Sequence, residues 1–195
     1  MQDQMKRFHK AASAGDCKKV EKMIAEGFES FTTPNKHGMN SLHYCAWGAR
    51  GYRVLNDGRN SPMLSTSADY VKIAKILIAN GVSVSSKTLI WFTPLHHACC
   101  DGNPEMVLEL LSNGADTISL NSSGYTAAEL ALVHGHPSVA ALIGAEVGRR
   151  KIVAEEEVRR AQYEAFAMGH VDRLGAGSRV RWLDPGVVRM VLEFM

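Results

Sequence analysis

Histidine and cysteine side chains cluster at two places in this chain, and both residue types can bind metal ions or take part in catalysis. The clusters comprise His43 and Cys45, then His96, His97, Cys99 and Cys100. A structural zinc ion needs four ligands that converge as a tetrahedron, usually supplied by short Cys-x-x-Cys or His-x-x-x-His pairs. The chain has no Cys-x-x-Cys pair. We therefore expect no metal ion and no other cofactor.

Nucleophilic and phosphate chemistry also lack their usual sequence patterns. Gly-x-Ser-x-Gly, His-Glu-x-x-His and a glycine-rich phosphate loop with its lysine are all absent. The stretch Gly175-Ala176-Gly177-Ser178 lacks that lysine and follows no predicted strand, so it indicates a turn. Cys99 and Cys100 have no neighbouring feature that would lower the pKa of a thiol, and a reactive cysteine needs one. We predict that the protein is not an enzyme and has no small-molecule substrate.

The second cluster lies within a segment that reads as two helices joined by a turn. Thr93 is a suitable N-cap, and Pro94 fits the first helical turn because its missing N–H would have no helical partner there. Gly102 separates this helix from the apolar run 107–111, and Gly114 suits the end of the second helix. The histidines and cysteines are thus expected on the first helix of a helix pair.

The helix pair recurs with a period of 33 residues. Thr93 and Thr126 are 33 positions apart, as are Gly102 and Gly135. Related segments occur upstream at 8–27 and 40–81, the latter enlarged by about 20 residues that fall within 51–67. The run Thr-Pro-Leu-His-x-Ala with this period resembles the ankyrin repeat. We count four repeats over residues 5–144.

The resemblance implies an all-α ankyrin-repeat solenoid, with helix-turn-helix repeats joined by projecting β-hairpin loops, over residues 1–148. No repeat buries its apolar face alone, so neighbouring repeats must stack to form a continuous core. The resemblance also implies that His43 and His96 hydrogen-bond the loop backbone of a neighbouring repeat. Its functional implication is non-catalytic protein binding. The insertion at 51–67 is either a tolerated surface loop or a loop that contacts the partner.

Composition is consistent with a folded protein of the reducing cytoplasm. The formal net charge is +2, too small to suggest nucleic acid or an acidic membrane as a partner. There is no run of about 20 apolar residues such as a membrane span requires. The first residues lack an apolar signal core, and we expect the four cysteines to be reduced, buried thiols.

Aromatic residues are the best candidates for contacts with a partner protein. Trp91 and Phe92 precede Thr93, at the end of a loop that should form one of the projecting hairpins on the concave side. Trp91 is expected either to pack on the neighbouring hairpin or to act as an exposed anchor, since tryptophan is enriched at interface hot spots. Trp47 and Tyr125 are further candidates.

Residues 149–195 form a C-terminal extension with a charged helix, a turn and a terminal helix. We expect the charged helix to end at Gly169. An apolar stripe marks the terminal helix and is a second candidate contact; it comprises Val187, Val188, Val191 and Leu192. The last 13 residues weakly resemble the opening helix of an F-box, or a SOCS-type box, which implies recruitment of ubiquitin-ligase subunits. The alternatives are that this helix docks back on the repeats or into a groove of a partner.

Two functions follow from these features. The first is a scaffold or structural subunit of a larger assembly, with cytoskeletal or ciliary structures as one home. The alternative is a substrate adaptor of a ubiquitin ligase, which requires the terminal helix to bind a ligase subunit.

Overall fold

The computed structural model describes residues 2–28, 32–48, 52–54, 60–62 and 66–174. The helices of these residues are α1 (Gln2–Ser13), α2 (Cys17–Ala25), α3 (Ser41–Gly48), α4 (Ser67–Ala79), α5 (Pro94–Asp101), α6 (Pro104–Ser112), α7 (Ala127–Val133) and α8 (Pro137–Leu174). Two short strands, β1 (Tyr52–Val54) and β2 (Asn60–Pro62), lie between α3 and α4. The all-α solenoid that the resemblance to the ankyrin repeat implies is confirmed.

The helices form two layers. In one layer α1 packs on α3, α3 on α5 and α5 on α7, while in the other α2 packs on α4 and α4 on α6. Each pair of consecutive helices therefore contributes one helix to each layer. Residues at the same position of successive repeats meet in the shared core, as the fully buried Phe8, Leu42 and Leu95 of α1, α3 and α5 show.

Local signals in the sequence set the helix boundaries. The Thr126 hydroxyl accepts a hydrogen bond from the Glu129 N–H, and the Glu129 carboxylate accepts one from the Thr126 N–H. This reciprocal capping box satisfies two backbone donors that a helix start leaves without partners. At the C-terminal end of α5, Gly102 has a φ of 68°, a left-handed conformation that glycine adopts at little cost. These caps fix where each first helix begins and where the chain turns into the second.

The insertion contains a strand pair that the sequence did not lead us to expect. Strands β1 and β2 are antiparallel, with Tyr52 opposite Pro62 and Val54 opposite Asn60. The sequence predicts only a loop here, because the alternation that marks a strand is hard to recognise over three residues. The strand pair gives the insertion backbone pairing of its own.

Helix α8 extends beyond the end that we predicted. It continues through Gly169 to Leu174, so the expected break at Gly169 is wrong. Glycine inside a helix costs only about 1 kcal/mol relative to alanine, which flanking helix formers offset. The apolar stripe of the predicted terminal helix lies outside the described residues; it comprises Val187, Val188, Val191 and Leu192. The box-like segment 183–195 lies outside them as well.

By its contacts the chain divides into two compact units, Met1–Arg149 and Arg150–Met195. The stacked helix pairs belong to the first unit. No helix of the described part of the chain is long and apolar enough to cross a membrane.

We expect Leu95→Ala to lower the free energy of unfolding by about 2–5 kcal/mol, because Leu95 is fully buried and truncation leaves a cavity. His43→Gln should cost less, about 0.5–1.5 kcal/mol, because it mainly removes hydrogen bonds. One acceptor of His43, the Phe92 carbonyl, keeps its bond from the Thr88 N–H. Denaturant unfolding of both variants measures the difference, and a larger loss for His43→Gln would contradict this account of the core.

Candidate functional site

Three turns project between successive helix pairs, and we call them finger 1 (residues 35–39), finger 2 (residues 88–92) and finger 3 (residues 121–125). In each finger the first residue's N–H donates to the fifth residue's carbonyl at 2.9 Å. The fourth residue's N–H donates back to the first residue's carbonyl at 2.9–3.0 Å. This is the three-residue hairpin loop in which a type I turn is followed by a left-handed residue. The fingers are thus the hairpin loops that the repeat predicts, reduced to their turns.

The first residue of each finger closes its turn with a side chain. In finger 1 the Asn35 side-chain oxygen accepts hydrogen bonds from the His37 and Met39 N–H groups, at 2.8 and 3.0 Å. Asn121 makes the same two contacts in finger 3. In finger 2 the corresponding Thr88 hydroxyl accepts from the Phe92 N–H at 3.0 Å. Side chains of this kind fix a turn without strand pairing.

The fingers also bond to each other through their backbones. The Leu89 N–H donates to the His37 carbonyl at 3.0 Å, which links finger 2 to finger 1. The Ser122 N–H donates to the Ile90 carbonyl at 3.1 Å, which links finger 3 to finger 2. These are equivalent positions of successive repeats. The three fingers therefore form one continuous surface of the first unit.

Buried histidines attach the fingers to the helices. His43 Nε2 lies 3.2 Å from the Phe92 carbonyl, and His96 Nε2 lies 3.3 Å from the Tyr125 carbonyl. In the tautomer with its proton on Nε2, His43 donates to the finger while its Nδ1 accepts from the Asn40 N–H at 3.2 Å. Burial lowers the pKa of His43 to about 4, so its ring is neutral at physiological pH. The structural role expected for both histidines is confirmed.

Trp91 occupies the left-handed position of finger 2. Its φ is 61°, and it is the one residue other than glycine with a positive φ among the described residues. Glycine stands at the same position of the flanking fingers, Gly38 with a φ of 77° and Gly124 with a φ of 81°. A bulky side chain in this conformation costs about 1–2 kcal/mol. Yet 59% of Trp91 is exposed, so little burial compensates that cost.

The predicted anchor residues differ in where their side chains lie. Trp91 is exposed, as are Trp47 at 57% and Tyr125 at 44%. Phe92 instead points towards the helices, with ring centroids 5.6 Å from His96 and 5.2 Å from His97. Phe92 therefore supports the finger from inside rather than offering a free aromatic face.

Exposed apolar side chains stand next to Trp91 on its own finger, and others occur on the loop that follows α6. The Leu89 and Ile90 side chains of finger 2 are largely exposed, and so are Ile118 and Leu120 of the loop that leads into finger 3. Contiguous exposed apolar side chains mark interaction sites more often than scattered ones. Trp91 was expected from sequence to be either packed or exposed, and the structure places it in an exposed apolar cluster.

His97 is a partly buried imidazole that packs among aromatic rings. Its ring contacts those of His43, Trp47 and Phe92. Its Nε2 is buried and has no hydrogen-bond partner among the described residues. Burial first, and then the positive charges that His43 and His96 would carry, lower the pKa of His97 to about 3. Protonation of this ring therefore opposes folding.

The cysteines lie in the helices as free thiols. Cys45 and Cys99 are buried, and burial raises the pKa of both thiols. The partly buried Cys17 donates to the Asp69 carbonyl at 3.2 Å. Within residues 2–28, 32–48, 52–54, 60–62 and 66–174 no group of three or more His, Cys, Asp or Glu residues is arranged to hold a metal ion. The side chains that first suggested chemistry are packing and hydrogen-bonding groups.

Comparison with known proteins identifies the repeats. A family model described as ankyrin repeats (3 copies) matches residues 62–151. The chain is 32% identical over 123 residues to an Arabidopsis thaliana protein named "Putative E3 ubiquitin-protein ligase XBAT34", an alignment that covers 62% of this chain and 32% of that protein. It is 32% identical over 85 residues to potassium channel AKT1 of the same plant, which covers 44% of this chain and 10% of the channel.

A third relative is human protein phosphatase 1 regulatory subunit 27. The identity is 28% over 110 residues, covering 56% of this chain and 58% of the subunit. In each of these relatives the chain therefore spans less than two thirds of the protein. What the three share with this chain is a limited segment, and their names describe different activities.

We expect the melting temperature to fall as the pH falls from about 6.5 to about 4. The folded-state pKa values of His43 and His97 lie below the unfolded value of 6.5, so over this range the unfolded chain binds more protons. Stability is then complete above pH 6.5 and decreases by up to about 1.4 kcal/mol per pH unit for each histidine. His97→Leu should reduce this pH dependence and should not destabilise the protein at pH 7, because it removes an unpartnered buried polar group.

The control is His134→Gln, which changes an exposed histidine and should leave the pH profile of the melting temperature unchanged. Parallel profiles for His97→Leu and the parent would show that His97 does not couple folding to protonation.

Proposed function

Because the chain is an ankyrin-repeat protein, its repeats are a protein–protein interaction module, and we propose that it is a non-catalytic scaffold or structural subunit of a larger assembly. The observation that carries this proposal is Trp91, a strained and exposed tryptophan where the flanking fingers have glycine. An unfavourable conformation kept at an exposed residue is a reason to infer a function there. Trp91 offers a large apolar side chain to a partner, and its backbone, already fixed in the finger, loses little freedom on binding.

The similarity to relatives supports a binding role over a catalytic one. A ligase, a channel and a phosphatase regulatory subunit have different activities by name, yet each shares a segment with this chain. A segment that occurs in proteins with such different activities is more readily explained as a binding module than as a catalytic one. We propose that the recognition surface here is the concave side, formed by the fingers and by the exposed ends of the first helices near Trp47. Cytoplasmic assemblies, including cytoskeletal and ciliary ones, are the proposed setting.

Substitutions of Trp91 separate binding from folding. Trp91→Gly removes the anchor and relieves the left-handed strain, whereas Trp91→Ala removes the anchor and keeps the strain. We expect both to weaken partner binding by about 2 kcal/mol or more, as loss of a hot-spot aromatic does. The free energy of unfolding of Trp91→Gly should exceed that of Trp91→Ala by about 1 kcal/mol. Leu108→Ala on α6, an exposed apolar truncation away from the fingers, is the matched control.

The measurement uses the full chain. Mass spectrometry identifies the proteins that the parent chain and Leu108→Ala capture but that both Trp91 variants lose. Calorimetry then measures the affinity of each of these proteins for the chain. Equal capture by all four proteins would reject Trp91 as the anchor. A lower melting temperature in both Trp91 variants, with binding reduced only in proportion, would instead mean that Trp91 packs on a neighbouring finger.

A second candidate function is a substrate adaptor of a ubiquitin ligase. The observation that favours it is the similarity to the plant protein named as an E3 ubiquitin-protein ligase. In this proposal the repeats hold the substrate, and the apolar stripe at Val187, Val188, Val191 and Leu192 binds a ligase subunit.

Removal of residues 169–195 tests the adaptor proposal. We expect the truncated chain to lose ligase subunits while it retains the Trp91-dependent partner, because the repeats are left whole. Val188→Asp with Val191→Asp makes the same test in a full-length chain, since two charges disrupt an apolar helix face. Affinity capture and mass spectrometry measure both sets of proteins. If the parent chain captures no ligase subunit, the adaptor proposal is rejected and the scaffold proposal remains.

A further inference from the structure

A cleft of about 530 Å³ lies beside finger 1. Its lining comes from α1, from the tip of finger 1 and from α3, and comprises Met5, Lys6, His9, Lys10, Ser13, Asn35, Lys36 and Tyr44. The elements that form it belong to the same unit as the Trp91 cluster. The function argued above uses none of these side chains.

Positive charge is concentrated around this cleft. Lys6, Lys10 and Lys36 are exposed, and none of them forms an ion pair with another described residue. None of the residues that line the cleft is acidic. Lys6 and Lys10 stand one turn apart on α1, where like charges are unfavourable by about 0.2–0.5 kcal/mol. For a chain with a formal net charge of +2, three uncompensated lysines at one cleft are a local excess.

Hydrogen-bond donors of the cleft also lack acceptors. The Asn35 amide donates to the Tyr44 hydroxyl oxygen at 2.6 Å, and the hydroxyl hydrogen of Tyr44 has no acceptor among the described residues. His9 lines the cleft and is only 6% exposed, and its Nε2 has no partner in the described part of the chain. The equivalent nitrogens of His43 and His96 each bond to a finger carbonyl. Finger 1 therefore departs from the other two at the cleft.

We propose that this cleft binds an acidic segment of the partner protein, with side-chain carboxylates that pair with Lys6, Lys10 and Lys36 and accept a hydrogen bond from Tyr44. The proposal rests on the protein-binding function argued above and adds the chemistry of the partner. Carboxylates match both features of the site, since they neutralise the ammonium groups and accept hydrogen bonds. Surface charge of this kind mainly speeds association and selects partners.

The surroundings favour a peptide over a nucleic acid. Binding of single strands uses exposed aromatic faces on which bases stack, in a basic groove that follows the backbone. Tyr44 is partly buried, and its ring lies 5.0 Å from that of His9, so it offers no free stacking face.

The test measures binding of defined probes to the full chain by fluorescence anisotropy at low ionic strength. The probe is a fluorescein-labelled peptide of alternating glutamate pairs and glycine, with a glutamine-for-glutamate peptide and a labelled oligothymidylate for comparison. We expect the glutamate peptide to bind more tightly than both, with an affinity that falls as salt is added. Amide shifts on titration into labelled protein should be largest at residues 6, 10, 36 and 44.

Charge-matched variants localise the site. Lys6→Gln with Lys10→Gln and Lys36→Gln should weaken binding of the glutamate peptide at least about tenfold, because each substitution removes one ion pair with the peptide. Lys18→Gln with Lys19→Gln and Lys22→Gln removes the same charge from exposed positions of α2 and should change binding less than about twofold by loss of long-range attraction alone. Tyr44→Phe, which keeps the ring, should weaken binding by a smaller factor than the lysine substitutions.

Three results would overturn the inference. The first is that the glutamine peptide binds as tightly as the glutamate peptide. The second is that the two sets of three lysine substitutions weaken binding equally. The third is that the oligothymidylate binds more tightly than the glutamate peptide and that the Lys6, Lys10 and Lys36 substitutions abolish its binding. The outcome is independent of the Trp91 test, because Trp91→Gly should leave binding of the glutamate peptide unchanged. Suppose that Trp91→Gly loses the partner protein while the variant without Lys6, Lys10 and Lys36 still binds the glutamate peptide. The cleft is then not the site for acidic segments, and the protein-binding function stands.

Discussion

The hydrogen bond from a buried imidazole to the turn of the next repeat connects the two parts of this structure, the helices and the fingers. The Phe92 carbonyl accepts from both His43 Nε2 and the Thr88 N–H, so one oxygen closes finger 2 and attaches it to α3. The ring must be neutral to accept the Asn40 N–H on one nitrogen and donate from the other. Burial supplies that state by lowering the pKa of His43. Stacking thus creates the conditions for the bond that positions finger 2.

Finger 2 tolerates a strained Trp91 because its ends are held independently of that residue. The Thr88 hydroxyl accepts from the Phe92 N–H, Phe92 packs against two imidazoles, and the Leu89 N–H bonds to finger 1. Strain of about 1–2 kcal/mol is small beside these contacts and the shared core. A residue whose backbone is already fixed loses less entropy on binding than one on a free loop. In the function proposed above, this cost in folding serves recognition.

The features that sequence predicted are local and periodic, and those it missed are tertiary. The 33-residue spacing was enough to place the helix pairs, and the resemblance to the ankyrin repeat implied the role of His43 and His96. The exposure of Trp91 was left open, although aligning it with Gly38 and Gly124 would have shown that it stands at a left-handed position. Phe92 was treated like its neighbour, because sequence does not show that it turns towards the helices. The cleft needed the structure, since Lys36 comes beside α1 only when the first two repeats stack.

The cleft and the Trp91 cluster are on neighbouring fingers, so one partner segment with acidic and apolar parts is the simplest ligand for both. Finger 1 carries Lys36, finger 2 carries Trp91, and the bond from the Leu89 N–H to the His37 carbonyl joins them. The two contacts respond differently to salt. Attraction between exposed charges is screened over about 10 Å at an ionic strength of 0.1 M, whereas burial of an aromatic side chain is not. Salt should therefore reduce the association rate through the cleft, while Trp91 continues to determine how slowly the partner dissociates.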